Sequence, residues 1–326
     1  MRQPLRRRNT NQPFSKRQRQ VSQGGRQRGA YKSKAAAPSP ALQEFQSRVA
    51  LPPNRKIPLA GPDAPLTLRV LDLLCPIGFG QRALILAPPR TGKTTFLKDL
   101  CLGIAAGAPH AVLYCLLVDE RPEEVTDFRR SVKAEVFASS NDRPLEEHLA
   151  TAAACLERAV KDALVGKDVV VVVDSLTRLA RAHNLKTQTG RTMSGGIDAS
   201  ALELPKRFFG AARQLETGGS LTIIATALID TGSRMDEVIA QEFKGTGNME
   251  VLLDRRLADR RIFPALDLAK SGTRRENQLL DPASLRVAHL LRRRCAELTT
   301  VEATKLLLTF FERTPSNEAL VAELSH

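Results

Sequence analysis

Residues 83–97 read ALILAPPRTGKTTFL. A short apolar run leads into Pro88-Pro89, then Gly92-Lys93-Thr94, then a stretch with helical spacing, TFLKDLCLGIAAG, from 95 to 107. A buried strand that feeds Gly-Lys-Thr at the start of a helix cradles phosphates, because free backbone N–H groups and the positive helix end face one point. The tripeptide alone is weak evidence, arising by chance in roughly one chain in several of this length. The strand before it and the helix after it carry the reading. The amides of 90–95 are expected to face the α- and β-phosphates of a nucleotide. Lys93 would reach the β- and γ-phosphates and the Thr94 hydroxyl would ligate Mg²⁺. Arg90, Thr91, Gly92 and Thr95 make up the rest of the loop. Ala87 stands where a glycine is usual; a methyl is tolerable there if the local φ is negative, and the two prolines pre-shape the entry.

Outward from this loop, apolar runs alternate with helical patterns. AVLYCLLV (111–118), DVVVVVDS (168–175), SLTIIATALID (220–230) and MEVLLD (249–254) read as buried strands, and LEEHLATAAACLERAVKDALVG (145–166) as a long amphipathic helix. Continuous Val/Ile/Leu runs alternating with helices predict an α/β fold, a mostly parallel sheet covered by helices on both faces. The second Mg²⁺ element should be an acid ending a neighbouring strand, and Asp174 fits; the alternative is a residue that merely caps the next helix. LLVDERPEEV (116–125) ends similarly in Asp119-Glu120-Arg121, where a carboxylate could orient the attacking water or simply form a surface ion pair.

The net charge of +14 is unevenly placed: residues 1–34 hold eleven Arg and Lys and no acid, leaving +3 for the rest. Residues 1–40 are poor in aliphatics and are expected to be a disordered basic tail. Its GGRQRGAYK stretch, with Phe14 and Tyr31 among arginines, suits nucleic-acid binding; a plain solubility tail or a transit peptide are the alternatives. Residues 41–65 read as a Pro-rich connector and 66–326 as the globular domain. No run approaches the length of a membrane span, and no signal peptide is visible. The five cysteines (75, 101, 115, 155, 295) have no metal-like spacing and fit reduced thiols in a cytoplasmic protein.

Several long strings are more specific than the phosphate loop: DERPEEVTDF, DSLTRLARAHN, SGGIDASAL, PKRFFGAARQLETGGSLTIIATALIDTGSRMDEVI, EFKGTGNMEV and RRIFPALDLAKSGTRRE. From about residue 66 to the end they resemble the ATPase domain of the transcription termination factor Rho, whose own loop begins Ala-Pro-Pro. The resemblance implies a RecA-like P-loop NTPase domain that forms a homo-hexamer, binds ATP and Mg²⁺ between subunits and moves along single-stranded RNA to terminate transcription. RNA polymerase and elongation factors are implied partners. By motif, Glu120 is the implied catalytic carboxylate, with Lys93, Thr94 and Asp174 on the phosphates and Mg²⁺ and Arg121 coupled to the nucleotide. Gly78, Phe79, Gly80, Gln81, Arg82 and Ala83 resemble a segment against the nucleotide, and Phe263 the aromatic on adenine. Arg274 resembles the arginine finger of a neighbouring subunit, with Arg261 a second interface arginine. Two stretches resemble RNA-contacting pore loops: GRTMSGGID (190–198), with Arg191, Thr192, Ser194, Gly195 and Gly196, and DTGSRMDE (230–237), with Thr231, Gly232, Ser233 and Arg234. Lys244 resembles a residue linking RNA to nucleotide. Thr95 departs from the larger apolar residue usual in the family. The 65 or so residues before the motor are too few for the cold-shock-like domain of most members, so the primary RNA site is expected to be absent, with the tail as a substitute anchor. The alternative is a ring ATPase turned to another partner, or an RNA-binding scaffold.

Overall fold

Alternating strands and helices build the domain around the phosphate loop. The computed structural model describes residues 38–61, 63–187, 194–198 and 200–325. The expected disordered tail therefore lies almost wholly outside the described residues, as do Arg191 and Thr192. In chain order the elements are α1 (Pro40–Ser47), β1 (Ala50–Leu51), α2 (Leu66–Leu74), β2 (Arg82–Ala87), α3 (Lys93–Gly107), β3 (Val112–Glu120), α4 (Pro122–Ser131), β4 (Glu135–Ser140), α5 (Leu145–Leu164), β5 (Asp168–Asp174) and α6 (Leu176–Lys186). They continue with α7 (Glu203–Gly210), β6 (Arg213–Leu215), β7 (Ser220–Leu228), α8 (Arg234–Phe243), β8 (Met249–Leu252), α9 (Arg255–Asp259), β9 (Gly272–Thr273), α10 (Pro282–Cys295), α11 (Thr300–Arg313) and α12 (Asn317–Leu324).

The sheet runs β4-β3-β5-β7-β2-β8-β9. The first six strands are parallel, with β9 antiparallel on β8, and β6 antiparallel between β7 and β1. Alternate residues of each central strand enter opposite cores. Ala83, Ile85, Val170 and Val172 face α2, α3, α4 and α10–α12; Leu84, Leu86, Val169, Val171 and Val173 face α1 and α5–α8. Burial on both faces is why these strands are apolar throughout. The registers align their C-terminal ends, Ala87 beside Leu228 and Leu117 beside Asp174. Strand-end acids thus come to one edge.

Residues 39–65 are more than a connector. Ser39 caps α1 at the Leu42 amide, Leu42 and Phe45 enter the α5 side of the core, and Ile57 and Leu59 the other. The apolar residues are few and separated by prolines, so no periodic pattern announces them. All five cysteines are buried and free of disulfides. Among the described residues no helix is long and apolar enough to cross a membrane.

Candidate functional site

Ala87 ends β2 as an ordinary strand residue, fully buried and paired with Leu228. Its φ is not positive, so no glycine is required. The turn takes positive φ at two later positions, Arg90 at 64° and Gly92 at 81°, and the glycine of the pair directly precedes α3. The loop is braced by the buried Thr91, whose hydroxyl donates to the Pro88 carbonyl at 2.8 Å.

Lys93, at the first turn of α3, reaches across β7 to the ends of β3 and β5. Its Nζ lies 2.5 Å from Asp174 and 3.3 Å from Glu120. Thr226 of β7, between the two halves of the site, donates to Asp174 at 2.8 Å. Burial pushes the Glu120 carboxyl above the ordinary carboxylate range and neighbouring Asp174 adds to it, against Lys93 and Arg178. For Lys93 burial acts downward, but the Asp174 and Glu120 charges outweigh it and hold the ammonium above its usual value. The site thus keeps a poised carboxylate beside a cation where a phosphate chain would end.

Arg178 of α6 is a member that sequence reading missed. Its guanidinium donates to the Asp119 carboxylate at 3.1 Å and to Glu120 at 3.3 Å, and also holds the Asp119 carbonyl. On a helical wheel it is one more arginine in LTRLARAHN. Only the docking of α6 behind β5 aims it at the end of β3. Arg121, in contrast, caps the start of α4, is exposed and pairs with Glu124 at 3.7 Å, apart from the Lys93 cluster. Thr94 follows Lys93 in the first turn of α3.

A pocket of about 300 Å³ continues from the loop, lined in part by Gly92, Thr95, Asp99, Thr67, Leu253 and Phe263. Phe263 is 47% exposed with its ring near Gly92. An open aromatic wall beside a phosphate loop suits a stacked base. Arg261 is exposed two residues before it on the same loop.

The segment 78–83 lies elsewhere. It enters β2 from the N-terminal end, so Gly78–Arg82 sit about 17 Å or more from the loop, five strand steps of ~3.3 Å away. Within one chain the segment is therefore remote from the phosphate loop. There Gly80 approaches Gln214 so closely that a Cβ would lie 2.3 Å from its amide nitrogen. Gln81 donates to the Asn248 side chain at 2.7 Å, and Phe79 packs between Arg55 and His110. The antiparallel return of β9 sets Arg274 beside Asn248. The result is a second cavity, about 240 Å³, lined by Gly80, Arg82, Arg213, Arg274 and Arg275 among others, with no carboxylate in its wall. Burial and the Arg274 charge lower the Arg82 guanidinium below its usual value, and burial and Arg82 do the same to Arg213. Arg274, the implied finger, is thus on the edge opposite its own phosphate loop.

The two implied RNA loops do meet. A Cβ on Gly195 would stand 3.0 Å from the Arg234 carbonyl, which places Ser194–Gly196 against the start of α8. Asn184 of α6 donates to the Gly196 carbonyl at 3.3 Å and accepts from the Asp198 amide at 2.7 Å. Ser233 caps α8, and Thr231 donates to the fully buried Asp236 at 2.6 Å. Arg181 of α6 also donates to Asp236, at 2.7 Å through Nε. Since α6 starts directly after Asp174, one rigid helix joins the nucleotide edge to these loops. Gly232 and Arg234 are exposed, and Lys244 is exposed at the C-terminal end of α8. Among the described residues no group of three or more His, Cys, Asp or Glu is placed to hold a metal.

Residues 67–273 match the nucleotide-binding domain of the ATP synthase alpha/beta family. Over 277 residues the chain is 50% identical to transcription termination factor Rho of Cereibacter sphaeroides, covering 84% of this chain and 66% of that one. It is 50% identical to the Karelsulcia muelleri Rho, covering 85% and 73%, and 52% identical to the Streptomyces lividans Rho, covering 86% and 40%. The chain therefore spans from two fifths to about three quarters of these relatives' lengths. In fold it is similar to a prototypical ATPase of the type III secretion system of pathogenic bacteria, with a TM-score of 0.69 at 24% identity over 84% of this chain and 85% of that one.

Proposed function

We propose, from the premise that the chain belongs to the family of transcription termination factor Rho, that it is an ATP-dependent RNA translocase of the Rho type. The observation that carries this is the split site: Lys93, Glu120 and Asp174 gather at one edge of the sheet, and the acid-free arginine cavity around Arg274 lies at the other. Neither edge completes a catalytic site alone, whereas a ring of copies brings the arginine edge of one subunit to the phosphate loop of the next. Four guanidiniums without a carboxylate suit the charge that develops on a transferring phosphoryl group, a role typically worth 10³–10⁵ in rate.

In this reading the triphosphate displaces the Lys93 ammonium from its carboxylate partners onto the β- and γ-phosphates, with the base on Phe263. Glu120, its pKa raised by burial, is then free to orient and deprotonate the attacking water, and Arg178 fixes its carboxylate. The Thr94 hydroxyl and the Asp174 carboxylate are the oxygen donors that would hold Mg²⁺, which offsets phosphate charge; two protein ligands are what this ion commonly takes, the rest being phosphate and water. Movement of α6 with the phosphate state is passed through Arg181 and Asp236 to the loops at 194–198 and 231–234, which grip single-stranded RNA by backbone and single charges. Termination by such movement in the cytoplasm places RNA polymerase and its elongation factors downstream.

The test is steady-state ATP hydrolysis with and without RNA, using Lys93→Ala, Arg274→Ala and their mixture. RNA stimulation, loss in each variant and partial recovery on mixing are expected, because a mixed ring restores some interfaces. Hydrolysis indifferent to RNA would sink the translocase reading, and a fully active Arg274→Ala would sink the shared site.

A further inference from the structure

The base pocket is mostly apolar, but one wall carries a charge. Thr95 and Asp99 are four residues apart on α3 and so share the face that lines the pocket. Asp99 lies six residues beyond Lys93, about 9 Å along the helix axis, at the end away from the phosphates. Among the described residues it forms no ion pair; the Thr67 hydroxyl on α2 hydrogen-bonds its carboxyl and pulls its pKa down, while burial pushes it up more strongly. An ionised carboxylate offers about four acceptor positions, so one hydroxyl leaves most of them unfilled. A few placed polar groups in an otherwise apolar pocket set a ligand's orientation and identity, and Asp99 is the charged one here.

We propose that Asp99 reads the base, accepting a hydrogen bond from its exocyclic amine and so selecting adenine over purines that lack the amine. The assignment rests on the nucleotide-site reading above and deepens it. With the ribose and phosphates directed to Gly92–Thr94 and the ring on Phe263, the far edge of the base meets α3. Adenine presents N–H donors at its 6-position, whereas a bare C–H there leaves the carboxylate unsatisfied. The pocket volume of about 300 Å³ is at the low end for ligand sites, room for a base more than for a whole nucleotide.

Equilibrium binding decides it, using ATP and purine riboside 5′-triphosphate, which differ only in the 6-amine. The full chain is expected to prefer ATP by about tenfold, as for one hydrogen bond to a charged, partly exposed acceptor. In Asp99→Ala the two affinities should converge to within about twofold, through loss for ATP alone. Asp99→Asn, which keeps a carbonyl acceptor, should retain part of the preference. An unchanged ratio in Asp99→Ala, or equal loss for both triphosphates, overturns the assignment and leaves the ATPase reading standing. Should Asp99→Ala melt below the assay temperature, Asp99→Asn decides by the same ratio. Failure of the unmodified chain to bind either triphosphate overturns both readings, so the two failures are distinct.

Discussion

Replacing Lys93 with alanine should destabilise the nucleotide-free protein, and the loss should depend on pH. The Lys93 side chain is 16% exposed and its partners Glu120 and Asp174 are 5% and 4% exposed. Removing one member of a buried ion pair costs about 3–5 kcal/mol, because the charge left behind has no partner. Here Arg178 still holds Glu120 and Thr226 still donates to Asp174, so the low end, about 3 kcal/mol, applies. In a domain of this size that lowers Tm by about 6 °C. Without the ammonium, Glu120, already held above the ordinary carboxylate range by burial and the Asp174 charge, binds its proton more tightly than in the unfolded chain. Stability of the variant then rises as pH falls toward the folded pKa of Glu120, while at pH 8 the deficit is full. The intact chain is the proper reference, since a lysine held above its usual pKa contributes fully at every pH below the ordinary lysine range. Thermal melts of both proteins at pH 8 and pH 5.5 should show a Tm gap that narrows clearly at the lower pH. An equal gap at both would mean that packing, not charge, is lost. No gap at pH 8 would mean that Lys93 does not neutralise the acids in the free protein.

Arg178→Ala should lower kcat by about 10–100-fold, part of what a positioned general base contributes, while ATP affinity changes little. Since Arg178 acts to lower the Glu120 pKa, its removal should move the acidic limb of the pH–rate profile upward, a shift that a purely structural role would not produce. Gly92→Ala places a Cβ at φ 81°, a strain of about 1–2 kcal/mol, and should cut both Tm and nucleotide affinity. A variant silent in melting and titration would show that the left-handed turn is dispensable. Asp236→Asn leaves the Arg181 guanidinium without its buried carboxylate, at a cost of about 2 kcal/mol, and should lower the ratio of RNA-stimulated to basal hydrolysis. An unaltered ratio would exclude the α6–α8 link as the coupling path.

Local pattern was enough for the sheet and the phosphate loop. A parallel strand covered on both faces must be apolar throughout, as at Val169–Val173, and a helix opening on Gly-Lys-Thr needs only its own residues to bind phosphate. Asp174 and Glu120 were legible too, because strands in register bring their final residues to one edge. Arg178, Asp99 and Arg213 left no such mark: each is a polar residue on an amphipathic element, and nothing local separates one facing a site from one facing water. Ala87 was ambiguous until its backbone was known to be that of a strand. The distance of segment 78–83 from the phosphate loop of its own chain was hidden for a related reason. Nearness to the loop along the chain became distance in space, because five strand residues carry it the length of the sheet. Arg274 meets Arg82, almost two hundred positions earlier, only because β9 returns antiparallel on β8, which itself pairs with β2. What the sequence alone determined were features that repeat every two or four residues; what tertiary structure decided were contacts between elements, which depend on docking angles and register that no short-range pattern encodes.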